Sequence, residues 1–173
     1  SVWNVLRRQY PSEEESYLPI LYAPDCDVTE QGIIQSRRAG LELERLLSGR
    51  AFALIVSPLR RALLTVRHLL ESGVGLSPTK TVVHPSATEV LRDSCDIGSH
   101  PELLQKEFPD FTFPLVQPDN WWPYHRPLAD AWERMRQRHP EGIETEEMIG
   151  RRLKALREYI HSCAEEIVVV VCH

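Results

Sequence analysis

Side chains that can take part in chemistry follow three apolar segments of the sequence. The segment at residues 51–56 is followed by Ser57 and then by the adjacent arginines Arg60 and Arg61. Guanidinium groups bind phosphates and carboxylates, and a helix N-terminus attracts anions through its free N–H groups and its dipole. This arrangement predicts a site for an anion such as phosphate.

A carboxyl and an imidazole follow the other two apolar segments. Residues 81–83 lead through a turn to Glu89, and residues 167–172 are followed by His173. Both groups can transfer protons. Each candidate also has a plainer interpretation, because paired arginines and lone glutamates are often solvated, and a histidine after a strand is often a structural hydrogen-bonding residue. Composition and spacing alone leave both interpretations open.

The elements that must position these side chains alternate along the chain. The three apolar segments, which are bounded by polar or turn residues, predict buried strands. Helical periodicity predicts helices at residues 30–47, 58–71 and 144–164. The last of these has an apolar stripe at Ile149, Leu153, Leu156, Ile160 and Cys163. Strands that alternate with long helices predict an α/β domain with a mostly parallel sheet, in which ligands bind outside the carboxyl ends of the strands.

Capping and small residues add detail to the first two helices. Thr29 is a good N-cap for the first helix, and its small residues Ser36 and Gly40 predict a close approach to a sheet. Ser57 is the predicted N-cap of the second helix, with Pro58 at its first helical position. We expect that helix to end at Gly73.

An irregular, proline-rich stretch at residues 93–126 separates the second strand from the last helix. It is too apolar for a flexible linker, so we expect an insertion that packs as a cap over one end of the sheet. Its aromatic and basic group forms either part of a pocket or a purely structural cluster: Trp121, Trp122, Tyr124, His125 and Arg126.

Size and charge limit the classes of function. The 173 residues, 42% hydrophobic and 26% charged, suit a single domain at 1–173 with a full core. A net charge of -5 argues against a nucleic-acid or anionic-membrane partner. No apolar run is long enough to cross a bilayer, so we expect a soluble cytoplasmic protein. We expect no metal and no cofactor. The spacing of the four cysteines does not match a zinc site of the usual type: Cys26, Cys95, Cys163 and Cys172.

Two motifs together resemble the histidine phosphatase, or phosphoglycerate mutase-like, superfamily. Residues 27–32 (Asp-Val-Thr-Glu-Gln-Gly) are similar to the helix start Leu-Thr-x-x-Gly of that family. Residues 57–62 with Thr65 resemble its pattern Ser-Pro-Leu-x-Arg-Ala-x-x-Thr. The resemblance implies a three-layer α/β/α fold with a mostly parallel central sheet, and it makes Arg61 the phosphate ligand.

Further segments carry the same resemblance. Glu89 and the following residues 95–99 resemble a phosphatase-like branch of the family, and residues 168–173 resemble the strand that delivers its second histidine. Residues 1–4 resemble the end of the signature Arg-His-Gly-x-Ser-x-x-Asn, with Asn4 as a phosphate contact. The nucleophilic histidine would lie three residues before Ser1. We therefore expect the sequence to be part of a longer protein, incomplete at both ends.

The resemblance implies a phosphomonoester hydrolase that acts on a small phosphorylated substrate through a phosphohistidine, without a metal. Arg61, His173 and Asn4 would stabilise the phosphoryl oxygens, and Glu89 would serve as the general acid and base. One alternative is a phosphoglycerate mutase, which the segment after Glu89 disfavours. The other is a catalytically inactive phosphate-binding or scaffold protein of the same fold. The sequence leaves the oligomeric state open.

Overall fold

A computed structural model describes residues 25–91, 94–96, 98–114 and 144–173. Within these ranges the chain forms four α-helices: α1 (Glu30–Leu47), α2 (Arg60–Ser72), α3 (Pro101–Glu107) and α4 (Glu146–Ser162). The same ranges contain three strands: β1 (Ala53–Val56), β2 (Lys80–Val83) and β3 (Val168–Val171). Short 3-10 turns occur at Pro85–Ala87 and Ser94–Asp96.

The three strands form a parallel sheet in the order β2-β1-β3. Ile55 of β1 lies opposite Val82 of β2 and Val170 of β3. Every residue of β1 is buried, as is typical of a parallel strand whose two faces are both covered. The predicted α/β class, the parallel sheet and all three predicted strands are confirmed, with strand bounds that differ from the predicted ones by one or two residues.

Alternate side chains of β1 belong to different apolar clusters. Leu54 and Val56 pack in one buried cluster with residues of α2, of α3 and of the position directly after α3: Ala62, Leu63, Val66, Leu104 and Phe108. Ile55 belongs to a second cluster with Leu156 of α4. Because neighbouring side chains of a strand point to opposite faces, β1 is covered by apolar side chains on both sides.

Helix α1 begins and ends at the predicted residues, and Thr29 caps it by accepting a hydrogen bond from Gly32 N at 3.1 Å. The prediction of a close approach to a sheet is wrong at Gly40, because Gly40 lies against α2 instead. A Cβ at Gly40 would be 2.2 Å from the backbone oxygen of Leu69. Ser72 Oγ also donates to Arg37 O at 2.8 Å, which ties the two helices together at this crossing.

Helix α2 begins at Arg60, two residues later than predicted, and ends at the predicted Gly73. Ser57 is not its N-cap, and Pro58 is not its first helical residue. Ser57 is fully buried directly after β1, where its Oγ accepts from Leu59 N at 3.3 Å. The cap position falls on Leu59, whose side chain makes no capping hydrogen bond.

The stretch predicted to be irregular contains a helix, α3, so that prediction is wrong for residues 101–107. Pro101 occupies the first turn, and the His100 side chain accepts from Glu102 N at 3.3 Å. Beyond α3, Thr112 forms a parallel bridge with Val82. Residues 115–126, including the tryptophans of the expected cap, lie outside the described residues.

The last predicted helix is confirmed as α4, which is capped by Thr145 through a hydrogen bond from Met148 N at 3.3 Å. Its predicted apolar stripe is wrong at one position, since Leu153 is 51% exposed. Arg152 takes the inward position in its place, with a side chain only 16% exposed. Among the residues the structure describes, no helix has the length and apolar character needed to cross a membrane.

The tight contact at Gly40 predicts that one added methyl group lowers the stability of the fold. Gly40→Ala should lower the free energy of unfolding by about 1–3 kcal/mol, because its Cβ meets backbone that cannot move freely. Gly150→Ala is the matched control, since no atom lies within 4 Å of a Cβ there, and it should raise stability by up to about 1 kcal/mol. Urea unfolding of both variants measures the two changes, and a neutral Gly40→Ala would contradict the packing described.

Candidate functional site

The carboxyl ends of the strands bring two of the predicted site residues, Glu89 and His173, together near Ser57. Ser57 directly follows β1, and His173 lies two residues beyond β3. His173 Nε2 is 3.0 Å from Ser57 Oγ, and its Nδ1 is 3.8 Å from Glu89 Oε2. The imidazole therefore lies between a buried hydroxyl and a carboxyl group. Asn4, the fourth predicted site residue, lies outside the described residues.

Arg61 and His173 line the same cavity, which has a volume of about 260 Å³. Its other walls come from the start of α1, from α2 and from the end of β3, including Thr29, Gly32, Thr65 and Val171. Thr65 Oγ1 donates to Arg61 O, one turn earlier in α2, at 2.8 Å. Glu89 is not among the described residues that line this cavity, so its link to the site runs through His173.

The Arg61 guanidinium is held by two acceptors. Its Nη1 donates to Cys95 O at 2.7 Å, and its Nη2 donates to Asp96 Oδ1 at 3.0 Å. Asp96 and Arg61 are both largely shielded from solvent. A phosphate at this position would therefore use the remaining N–H groups of Arg61 or compete with Asp96 for the guanidinium.

The adjacent Arg60 is paired with two carboxylates. It forms ion pairs with Asp27, at 2.7 Å from Nη2 to Oδ1, and with Glu107 of α3. These two carboxylates hold the start of α2 against neighbouring segments. Of the two arginines, Arg60 fits the plain structural interpretation, whereas Arg61 faces the cavity.

The start of α2 differs from the predicted cradle of free backbone N–H groups. Arg60 N donates to Asp25 Oδ1 at 2.6 Å, and Ser99 N donates to the other oxygen of that carboxyl group at 2.8 Å. Asp25 therefore occupies the anion position at this helix terminus. Burial raises the pKa of Asp25, although its hydrogen bonds with Ser99 and Arg60 offset part of this effect. Sequence reasoning missed Asp25, which lies 35 positions from Arg60 along the chain.

The surroundings of His173 favour its neutral form. Burial lowers its pKa to about 4, and the positive charges of Arg61 and Arg152 act in the same direction, while Asp96 opposes them. At neutral pH the ring then has one N–H donor and one acceptor nitrogen. It can donate one hydrogen bond to an anion while its other nitrogen accepts one.

A second histidine at the same edge was missed. His84 directly follows β2, is 4% exposed, and accepts a hydrogen bond from Ser86 N at 3.2 Å. Its ring packs 4.7 Å from that of Tyr159, and burial lowers its pKa. These contacts make His84 a structural residue of the turn that leads to Glu89. The available signal was its position directly after an apolar strand.

Within residues 25–91, 94–96, 98–114 and 144–173, no group of three histidine, cysteine or carboxylate side chains is arranged to hold a metal ion. No protein-family model matches the chain, and no curated protein matches it significantly. The family resemblance of the motifs therefore stays a prediction.

The low pKa of His173 predicts a measurable titration. Its NMR ring signals should titrate near pH 4, and not near the ordinary value of 6.5. The imidazole binds a proton more readily in the unfolded chain than in the folded one. The free energy of unfolding should therefore decrease as the pH falls from about 6.5 to 4.

Arg61→Met should raise the pKa of His173 by removing a nearby positive charge. Arg60→Met is the control, because the charges that act on the pKa of His173 are those of Arg61, Asp96 and Arg152. A His173 titration near 6.5 in the wild-type protein would show that the imidazole is not buried as described.

Proposed function

We propose that this chain is part of a phosphomonoester hydrolase that acts through a phosphohistidine intermediate. The observation that carries this proposal is the placement of Arg61 and His173 in one cavity at the carboxyl edge of a parallel sheet. A buried guanidinium beside a neutral imidazole suits the non-bridging oxygens of a phosphoryl group. Glu89, 3.8 Å from His173, supplies a proton-transfer group beside the residues of this cavity.

In the proposed first step, a histidine nitrogen attacks phosphorus and the bond to the ester oxygen breaks. The motif resemblance takes this histidine from sequence upstream of Ser1. Glu89 gives its proton to the departing oxygen, which leaves as an alcohol. Water then attacks the phosphohistidine while Glu89 takes a proton from it, so that inorganic phosphate leaves and both groups return to their first state.

Arg61 and His173 would act on the charge of the transferred group. In phosphoryl transfer most of the protein's contribution is positioning and electrostatic stabilisation of the phosphoryl oxygens. Arg61 is well suited because Cys95 O and Asp96 already fix the plane of its guanidinium. Asn4 is the further phosphate contact that we propose from the motif resemblance.

The finer features of the expected architecture belong to the same proposal. The two apolar clusters that share β1 support a three-layer α/β/α arrangement around a larger parallel sheet. The cap formed by residues 93–126 and the cytoplasmic location stay predictions.

The mutase alternative differs in its acceptor, since a mutase passes the phosphoryl group to a second hydroxyl and not to water.

One observation favours the inactive alternative. Asp96 already forms an ion pair with the Arg61 guanidinium, so the cation that would bind phosphate has a carboxylate partner. A scaffold protein with this arrangement would bind phosphate weakly and turn over no ester.

Activity measurements distinguish these candidates. The full-length protein should hydrolyse an aryl phosphate without an added metal ion. Arg61→Met and His173→Ala should each lower kcat by at least about a hundredfold, the scale expected for loss of one charge-stabilising group. Arg60→Met, the matched control, should stay close to wild type.

Three results would count against the hydrolase. They are equal losses in Arg60→Met and Arg61→Met, activity that a chelator abolishes and a divalent ion restores, and no hydrolysis of any phosphomonoester. Phosphate binding that Arg61→Met removes, in the absence of turnover, would establish the inactive alternative.

The proposed role of Glu89 predicts that the effect of its substitution on the rate depends on the leaving group. Glu89→Gln should slow the hydrolysis of an alkyl phosphate far more than that of an activated aryl phosphate, whose departing oxygen needs little protonation. The ratio of kcat/KM values for the two substrates in wild type and variant measures this difference. Equal losses on both substrates would remove Glu89 as the general acid, and Asp93 or Asp96 would become the candidates.

A further inference from the structure

Arg152 of α4 makes an unusually complete set of contacts with the segment that contains Glu89. Its Nη1 donates to Ser86 O at 3.2 Å and to Thr88 O at 2.9 Å, and its Nη2 donates to Glu89 O at 3.4 Å. One guanidinium thus satisfies three backbone oxygens of the turn that follows β2. Its flat, five-donor shape suits several acceptors at once.

Glu144 completes this arrangement from the segment just before α4. It accepts hydrogen bonds from Arg152 Nε and, at 2.9 Å, from Nη2. Its Oε2 also accepts from Leu91 N at 3.2 Å. The ion pair therefore binds the backbone of Ser86, Thr88 and Glu89 through Arg152, and the backbone of Leu91 through Glu144.

The pair is well shielded, with side chains 16% and 10% exposed for Arg152 and Glu144. Burial of an ion pair costs desolvation that its own attraction does not always offset, so such a pair is weak evidence for stability alone. Here its contacts converge on the segment that carries Glu89, whose carboxyl group lies 3.8 Å from His173. Arg152 is also close enough for its charge to contribute to the lowered pKa of His173.

We propose that Arg152 and Glu144 form a clamp that positions Glu89 beside His173, and that Arg152 is a positioning residue for proton transfer by Glu89. The role of Arg152 in proton transfer rests on the hydrolase function proposed above. Arg152 contacts the backbone of Glu89, and its effect reaches the substrate only through the carboxyl group of that residue.

The neighbouring Arg151 provides a matched control on the same helix. It pairs with Glu147 at 2.6 Å, but both side chains are about three-quarters exposed, at 74% and 76%. Arg151→Met removes the same side chain one position away without touching residues 86–91. An effect that appears in Arg152→Met and not in Arg151→Met therefore belongs to the clamp.

The kinetic test uses full-length protein and two substrates. Arg152→Met should lower kcat on an alkyl phosphate by about ten- to a hundredfold, the scale of a small misplacement of a catalytic group, with a much smaller loss on an activated aryl phosphate. In a Glu89→Gln background the same substitution should cause no further leaving-group-dependent loss, because the group that it positions is gone. Arg152→Lys should recover part of the loss, since an ammonium group reaches fewer of the acceptors.

Amide hydrogen exchange tests the clamp without any activity. In Arg152→Met, the amide of Leu91 should exchange faster than in wild type, while the amides of β1 and α2 stay unchanged. If a single unpaired buried charge prevents folding, the double variant Arg152→Met/Glu144→Gln removes both charges and takes its place.

The two measurements separate the possible failures. Unchanged exchange at Leu91 overturns the clamp. Faster exchange with equal losses on both substrates overturns the positioning role, because the pair is then structural only. A wild-type protein without phosphatase activity overturns the proposed function, and the exchange result alone then decides whether the clamp exists.

Discussion

The site depends on two backbone hydrogen bonds that continue the sheet beyond the last residues of its strands. Ser57 N donates to Val171 O at 3.0 Å, and His84 N donates to Val56 O at 2.9 Å. They fix which residues of three distant segments meet at the carboxyl edge. Because side chains alternate along a strand, a shift of β3 by one residue would turn its inward side chains outward and move His173 away from Ser57. The arrangement of side chains at this edge therefore requires the parallel register of β1 with both neighbours.

Much of this frame was accessible from the sequence, because the signals are local. Thr29 and Gly32 form a capping contact within one turn, and the apolar positions of α1 repeat at helical spacing, so its bounds were predicted to the residue. The apolar runs of the three strands are short and end at polar residues, which placed Glu89 and His173 after strands. Parallel strand order then places both residues at the same edge of the sheet, where their side chains lie 3.8 Å apart.

The errors arise where a distant partner overrides a local signal. Ser57 and Pro58 have the residue types of a helix start, yet the N–H of Arg60 is bound by Asp25 from a separate segment. The small residue Gly40 predicted a close approach, but spacing alone does not tell whether the neighbour is a strand or a helix. On α4, hydrophobicity favoured Leu153 as the inward residue. Arg152 takes that place because folding brings three backbone oxygens and the carboxylate of Glu144 around its guanidinium, and three of these acceptors are distant in sequence.

Charge pairing around His173 limits how this edge can receive an anion. Arg61 is paired with Asp96, and Arg152 is paired with Glu144, so neither cation is fully available to a ligand. Their roles differ because Arg61 lines the cavity, whereas Arg152 donates to backbone oxygens and has no comparable access. A phosphate dianion would therefore gain its attraction from Arg61 in competition with Asp96, and His173, neutral through burial, would add a directed hydrogen bond without a repelling or attracting charge. The arrangement favours a ligand with several oxygens in a fixed geometry over a single point charge, since only the former can use the remaining Arg61 donors and the imidazole together.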